Sequence, residues 1–292
     1  MQLLFSRKYI LCCRVYFIVY NSYVWPSIYR TSLRSRAVPA HTIAVFNAKG
    51  GVGKTSTSYN LAVGLHRFHD LRVLLVDIDP QGHAGVALGV NIADLQHRID
   101  EVLQEKASIK DTIVKTEAGV DVVPSNILLA EAEIPISGLH GREVLLRRAV
   151  SSIINEYDVI LTDCPPNVGI LSVNALMAAK QVLVPVDMSY LGLLGIPVIE
   201  RILGLIQNRL EHPIEILGVL ATRYDSRLNI AKDVLDSLEK HFGDRLFETV
   251  IPETVKIREA PSFQASIFDH APGSSGAMAY QQLTEEVMKR VR

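Results

Sequence analysis

A pair of lysines set among closely spaced glycines, followed at once by two hydroxyls, is chemistry suited to a polyphosphate. Residues 49–56 carry it: Lys49-Gly50-Gly51-Val52-Gly53-Lys54-Thr55-Ser56. The apolar run Thr42-Ile43-Ala44-Val45-Phe46 precedes them, and a helix-like segment follows from Thr57 to Phe68. A strand that breaks into such a loop and re-enters a helix aims backbone N–H groups at phosphate oxygens. The positive end of the new helix adds to the attraction. In this arrangement Lys54 neutralises the β- and γ-phosphates and the Thr55 hydroxyl ligates Mg²⁺. The general template asks for glycine at the first loop position, where this chain has Ala48; beside it stands the additional lysine, Lys49. The competing reading is a structural turn with an incidental lysine, which leaves the agreement of strand, glycines, Lys54, Thr55 and helix without a cause.

Carboxylates end two further apolar runs. Leu71–Asp79 closes on Asp77-Ile78-Asp79-Pro80-Gln81-Gly82, and Val159–Asp163 closes on Asp163-Cys164-Pro165-Pro166. Ligands of parallel sheets sit at the carboxyl ends of the strands, so the three strand ends can converge on one nucleotide. Asp163 is then placed to hold Mg²⁺, directly or through water. Asp77 and Asp79 point to opposite faces if the strand continues, so one can face the metal shell. Asp79, further out, can position or deprotonate a water, or can simply start a turn with Pro80. Cys164 reads as a small buried filler.

These residues need a scaffold that brings strand ends together, and the rest of the pattern supplies one. Strands are predicted near 42–47, 72–77, 120–124, 158–163, 181–186, 215–221 and 247–251. Helices are predicted near 54–68, 98–105, 142–155, 169–179, 193–209, 229–242 and 275–290. Alternation of this kind gives an α/β fold: a single P-loop NTPase domain with a mostly parallel twisted sheet and helices on both faces. At 292 residues with 48% apolar content, the chain has ample material for one such core.

Taken together, the Lys-Gly-Gly-Val-Gly-Lys-Thr loop and the Asp-x-Asp-Pro-Gln-Gly and Asp-Cys-Pro-Pro strand ends resemble the deviant Walker-A ATPases of the ParA/MinD group. Asn174-Ala175-Leu176, Val182–Val186, Thr222–Arg227, Ile251-Pro252 and Glu259-Ala260-Pro261-Ser262 extend the resemblance to the ParA (Soj-like) branch, over roughly residues 41–292. The resemblance implies a weak, Mg²⁺-dependent, partner-stimulated ATP hydrolase that forms a nucleotide-sandwich homodimer. It implies non-specific double-stranded DNA binding, a ParB-like activator, and a role in partition of chromosome or plasmid DNA. It gives Lys49 a reach across the dimer to the other subunit's phosphates, so that Lys49, Lys54 and Asp79 are the catalytic set. The nucleotide is expected to lie against residues 49–56, including Gly50, Gly51, Val52, Gly53 and Ser56, with Pro252 and Glu253 beside the adenine. Thr55 and Asp163 hold the metal. Arg227, Lys256 and Arg258 are the candidate DNA contacts, although Glu253 stands where the family often has a basic residue. The location implied is cytoplasmic and nucleoid-associated. The cargo is not legible.

Charge is uneven along the chain. Six of its 30 basic residues and none of its 31 acidic ones fall in residues 1–40, which leaves 24 against 31 in the remainder. DNA binding by so acidic a domain requires a local basic patch. The leader, residues 1–40, admits three readings: a targeting peptide, a basic aromatic arm, or sequence upstream of the true start. No fixed structure is expected of it. It is also too short for the operator-binding domain of larger plasmid-type relatives. A MinD-like membrane-cycling ATPase is the alternative function. It needs an amphipathic C-terminal helix, whereas Leu283, Val287 and Val291 read as the seam of a packed one; a membrane partner is therefore not expected. An iron–sulfur reductase needs two interface cysteines, and only Cys164 lies inside the domain.

Overall fold

The computed structural model describes residues 39–291. The basic leader, apart from its last two residues, lies outside them, as do Cys12 and Cys13. The described strands are β1 (His41–Val45), β2 (Val73–Asp77), β3 (Val114–Lys115), β4 (Asp121–Val123), β5 (Val159–Asp163), β6 (Gln181–Asp187), β7 (Glu215–Tyr224) and β8 (Leu246–Pro252). They form one sheet in the order β3-β4-β2-β5-β1-β6-β7-β8. Every neighbouring pair is parallel except β3 with β4. β2 and β5 are buried along their whole length. Continuous apolar runs of this sort suit strands covered on both faces, where alternation would bury polar side chains without partners.

The helices are α1 (Lys54–His69), α2 (His83–Ala87), α3 (Ile99–Leu103), α4 (Leu128–Ser137), α5 (Leu145–Ser151) and α6 (Ile170–Ala178). After them come α7 (Tyr190–Leu194), α8 (Ile196–Arg209), α9 (Asn229–Phe242), α10 (Val255–Glu259), α11 (Ile267–His270) and α12 (Ser275–Arg290). One sheet face presents Ala44, Phe46, Leu74, Val76, Ile160 and Val184 to a core shared with α4, α5, α6, α8 and α9. The other presents Ile43, Val45, Leu75, Leu161 and Phe247 to α1, α11 and α12. Leu61 and Leu65 of α1 and Leu283 of α12 are fully buried there; each such side chain contributes about 1.5–3 kcal/mol. Leu283 and Val287 belong to the packed seam expected of the final helix.

All seven predicted strands are present, six with ends within two residues of the predicted ones and β7 running three residues further, to Tyr224. The short β3, which pairs antiparallel with β4, is an addition at the sheet edge. The helix predicted over 142–155 is a 3₁₀ turn, Arg142–Val144, leading into the shorter α5. Helices α2, α4, α10 and α11 were not predicted: three have five residues or fewer, and α4 carries Pro135 inside it. Among the described residues one helical stretch, Tyr190–Arg209, is long and apolar enough to cross a membrane by length and composition. It carries Glu200 and Arg201 midway and buries one face, Ile199, Ile202, Leu203 and Ile206.

Because β1, β2, β5, β6, β7 and β8 are parallel, their carboxyl ends share one edge of the sheet. The motif residues stand along that edge.

Candidate active site

The loop between β1 and α1 is shaped by its own short-range bonds. Asn47 Nδ2 donates to Pro185 O at 2.7 Å, and Asn47 Oδ1 accepts from the Lys49 amide at 2.9 Å. Gly51 and Gly53 hold φ of +75° and +85°, a region that a Cβ makes costly. Gly53 is the N-cap of α1 and no side chain caps that end. Its N–H groups are therefore directed at whatever occupies the loop. Lys54 is buried, with Nζ donating to Lys49 O at 2.8 Å. Burial lowers its pKa, against the opposing attraction of Asp163.

Asp163 lies under the first turn of α1. Ser58 Oγ donates to its Oδ1 at 2.7 Å, and the Thr55 hydroxyl is also close enough to favour its charged form. Its Oδ2 is buried and accepts no hydrogen bond. Burial outweighs these donors and raises its pKa to about 6. A buried carboxylate oxygen without a donor, beside a threonine hydroxyl and a lysine, fits a divalent cation or its water shell. No group of three or more His, Cys, Asp or Glu able to enclose a metal occurs among the described residues.

Asp77 stands opposite Asp163 in the register of β2 and β5, but its carboxylate is engaged by the chain. Its two oxygens accept the backbone N–H groups of Asp79 and Ala84, each at 3.0 Å. It thereby shapes the turn after β2 and ties it to α2, and burial next to Asp163 raises its pKa. Asp79 is half-buried; its Oδ1 accepts from the Gln81 amide at 3.0 Å, so the turn with Pro80 and a carboxylate near Lys54 coexist. Cys164 is fully buried with no disulfide partner.

Lys49 turns away from the loop. Its Nζ donates to Asp187 Oδ1 and Oδ2 at 2.8 and 3.0 Å and approaches Ser189 Oγ at 3.3 Å. Sequence reasoning missed Asp187, which ends β6 as Asp77 ends β2 and Asp163 ends β5. That shared pattern, an aspartate closing an apolar run, was the available signal.

Pro252 and Glu253 line a cavity of about 180 Å³ together with Gly51, Gly53, Ser56 and Thr222. Thr222 and Arg223, quoted in the sequence only as part of the resemblance, and Tyr280, which sequence reasoning gave no role, also line it; Ser58, likewise given no role, meets Asp163 instead. Thr222 Oγ1 donates to Val52 O at 2.8 Å, binding the end of β7 to the loop.

The three candidate DNA contacts stand on the same sheet edge, after β7 and β8, and each is met by a carboxylate. Arg227 pairs with Asp225 at 2.6 Å, which pulls the Asp225 pKa down to about 2. Lys256 pairs with Glu259 at 3.0 Å and Arg258 with Glu253 at 3.6 Å. Arg227 is 86% exposed, so solvent screens its pair strongly.

A mostly parallel α/β sheet with a glycine loop, an adjoining lysine and threonine, and a buried aspartate at the end of the neighbouring strand defines a P-loop ATPase. Comparison with known proteins places it further. A family model described as an AAA domain matches residues 40–216. The sporulation initiation inhibitor protein Soj of Bacillus subtilis (strain 168) is 42% identical over 246 residues, covering 84% of this chain and 97% of Soj. Chromosome partitioning protein ParA of Caulobacter vibrioides (strain NA1000 / CB15N) is 37% identical over 259 residues, covering 88% and 97%. Cobyrinic acid a,c-diamide synthase from Mycobacterium smegmatis, solved with a bound ATP analogue and magnesium, superposes with a TM-score of 0.73 at 33% identity, covering 84% and 93%. The chain belongs to the ParA/Soj branch of the deviant Walker-A P-loop ATPases.

Proposed function

We propose that this chain is a slow, Mg²⁺-dependent ATPase that dimerises around ATP, binds double-stranded DNA without sequence preference, and partitions DNA with a ParB-like activator. The observation that carries the proposal is the meeting of Lys54, Thr55 and Asp163 under one glycine loop that also bears Lys49, in a chain 42% identical to Soj.

In this reading residues 41–292 form the ATPase domain. Gly50, Gly51, Val52, Gly53 and Ser56 cradle the phosphates, while Pro252 and Glu253 flank the adenine. Lys54 neutralises the transferring phosphoryl group, and Thr55 and Asp163 hold Mg²⁺ directly or through water. Mg²⁺ held there would offset the negative charge of the phosphates. Asp79 orients the attacking water. Catalysis here is positioning plus charge stabilisation, so turnover stays low until a partner tightens the site. Lys49 leaves Asp187 and reaches the partner's phosphates, which makes ATP the bridge between protomers.

Arg227, Lys256 and Arg258 supply the DNA face, exchanging their carboxylate partners for phosphates. Affinity then ignores sequence and falls steeply with salt. The setting is cytoplasmic and nucleoid-associated.

Co-sedimentation of the full-length protein with non-specific duplex DNA, and separately with anionic liposomes, tests the reading with ATP and with ADP. DNA binding only with ATP, weakening as salt rises, is expected. Liposome binding without DNA binding contradicts it and favours a membrane-cycling ATPase.

A further inference from the structure

Arg223 is the last residue but one of β7, and its backbone is unusual. Its φ is +54°, a left-handed conformation that a Cβ makes costly. The pairing of β7 with β8 slips at the same place: Ala221 is opposite Val250 and Tyr224 opposite Pro252, so β7 holds one extra residue. A bulge of this kind re-aims a side chain. Here it sends the Arg223 guanidinium back over the cavity lined by Pro252 and Glu253.

The guanidinium joins two walls of that cavity. Arg223 Nη1 donates to Gly51 O of the phosphate loop at 3.1 Å, and Nε donates to Glu253 Oε2 at 2.9 Å. Behind it the cavity is apolar and closed by Ile251, Ile257 and Tyr280, each buried. Arg223 and Glu253 are 52% and 26% exposed, so the pair stands on the solvent side. A planar guanidinium has faces that stack on aromatic rings and edges that bond fixed oxygens. Backbone strain persists where the surroundings over-determine it, and such sites cluster at ligand clamps.

We propose that Arg223 and Glu253 form a strap across the mouth of the nucleobase pocket, which positions the base and sets the rate at which nucleotide leaves. The proposal rests on the reading of this cavity as the adenine site. It adds a residue, Arg223, and an exchange-controlling role that the phosphate loop does not have. The strap spans from the phosphate side to the base side, so nucleotide departs only when it opens.

The test is release of a fluorescent mant-ADP from the full-length protein after mixing with excess ADP. Arg223→Met and Glu253→Gln should each speed release by roughly two- to fivefold, as expected for a half-exposed charge pair. The double variant should speed release by less than the product of the two singles, because both remove the Arg223–Glu253 bond, while Arg223→Met alone loses the bond to Gly51 O and Glu253→Gln alone weakens the contact with Arg258. Arg223→Lys should recover only part of the wild-type rate, since one ammonium does not reproduce the fork. Raising salt from about 0.05 M to about 0.5 M should speed wild type towards the Arg223→Met rate. If Arg223→Met fails to fold by circular dichroism, Glu253→Gln and Arg223→Lys carry the same comparison. Wild-type release from these variants overturns the strap, as does a double variant in which the two effects multiply. Wild-type protein that binds no mant-ADP overturns the adenine site itself and the strap with it.

Discussion

Three aspartates close or follow two neighbouring strands, and their surroundings divide the work among them. Asp77 spends both oxygens on backbone N–H groups and so holds the shape of the turn. Asp163 keeps one buried oxygen without a donor, facing the first turn of α1. Asp79 stays partly exposed near Lys54. Our reading gives it the attacking water, so Asp79→Ala should lower ATP turnover by about 10²-fold or more while leaving nucleotide affinity near wild type. Steady-state turnover and equilibrium binding measured together check this, and wild-type turnover in the variant contradicts it. The loop was legible in the sequence because lysine, threonine and glycine types at fixed spacing leave few other readings. The turning of Lys49 onto Asp187 was not, because the two lie 138 positions apart and meet only when β1 and β6 pair. The carboxylate partners of Arg227 and Lys256 were in plain sight, two and three residues away. Which side of each local turn they occupy is a matter of geometry that spacing alone does not give.

Long, strongly apolar elements declared themselves: β2, β5 and α12 fall where their runs place them. The elements that escaped are short, such as β3 and α10, or lack a polar face, such as α4. They form because neighbours cover them rather than because of their own propensity. The end of α12 shows such tertiary control. Arg290, which reads as a solvated charge, donates to the carbonyls of Leu217, Arg245 and Leu246 and lies 4.0 Å from the centre of the Phe247 ring. It locks the last helix over the amino ends of β7 and β8. Three charge-assisted bonds and a cation–π contact predict that Arg290→Ala destabilises the protein by roughly 1–3 kcal/mol. Urea denaturation measures this; a midpoint within error of wild type would show that the helix end is held by its apolar seam alone.

For the whole molecule, the sheet edge matters more than net charge, which is only −1. Phosphate loop, the cavity proposed for the base, Lys49 with Asp187, and the paired cations after β7 and β8 all stand on that one edge. A nucleotide bound there touches the elements that carry the proposed dimer and DNA faces, which is how nucleotide state is proposed to govern both. Fold class and this edge could be read from strand ends alone. The state of Lys49 could not, and the central claim depends on it. Lys49 is bonded to its own chain's Asp187 at 2.8 Å, and the proposed function requires it to move to a partner's phosphates. The most direct measurement is sedimentation velocity of wild type and Lys49→Ala with ATP and with ADP, using Asp79→Ala as background to slow turnover. The account predicts dimers with ATP only, and monomers under every condition once Lys49 is alanine with nucleotide still bound. A Lys49→Ala protein that dimerises normally with ATP would contradict it.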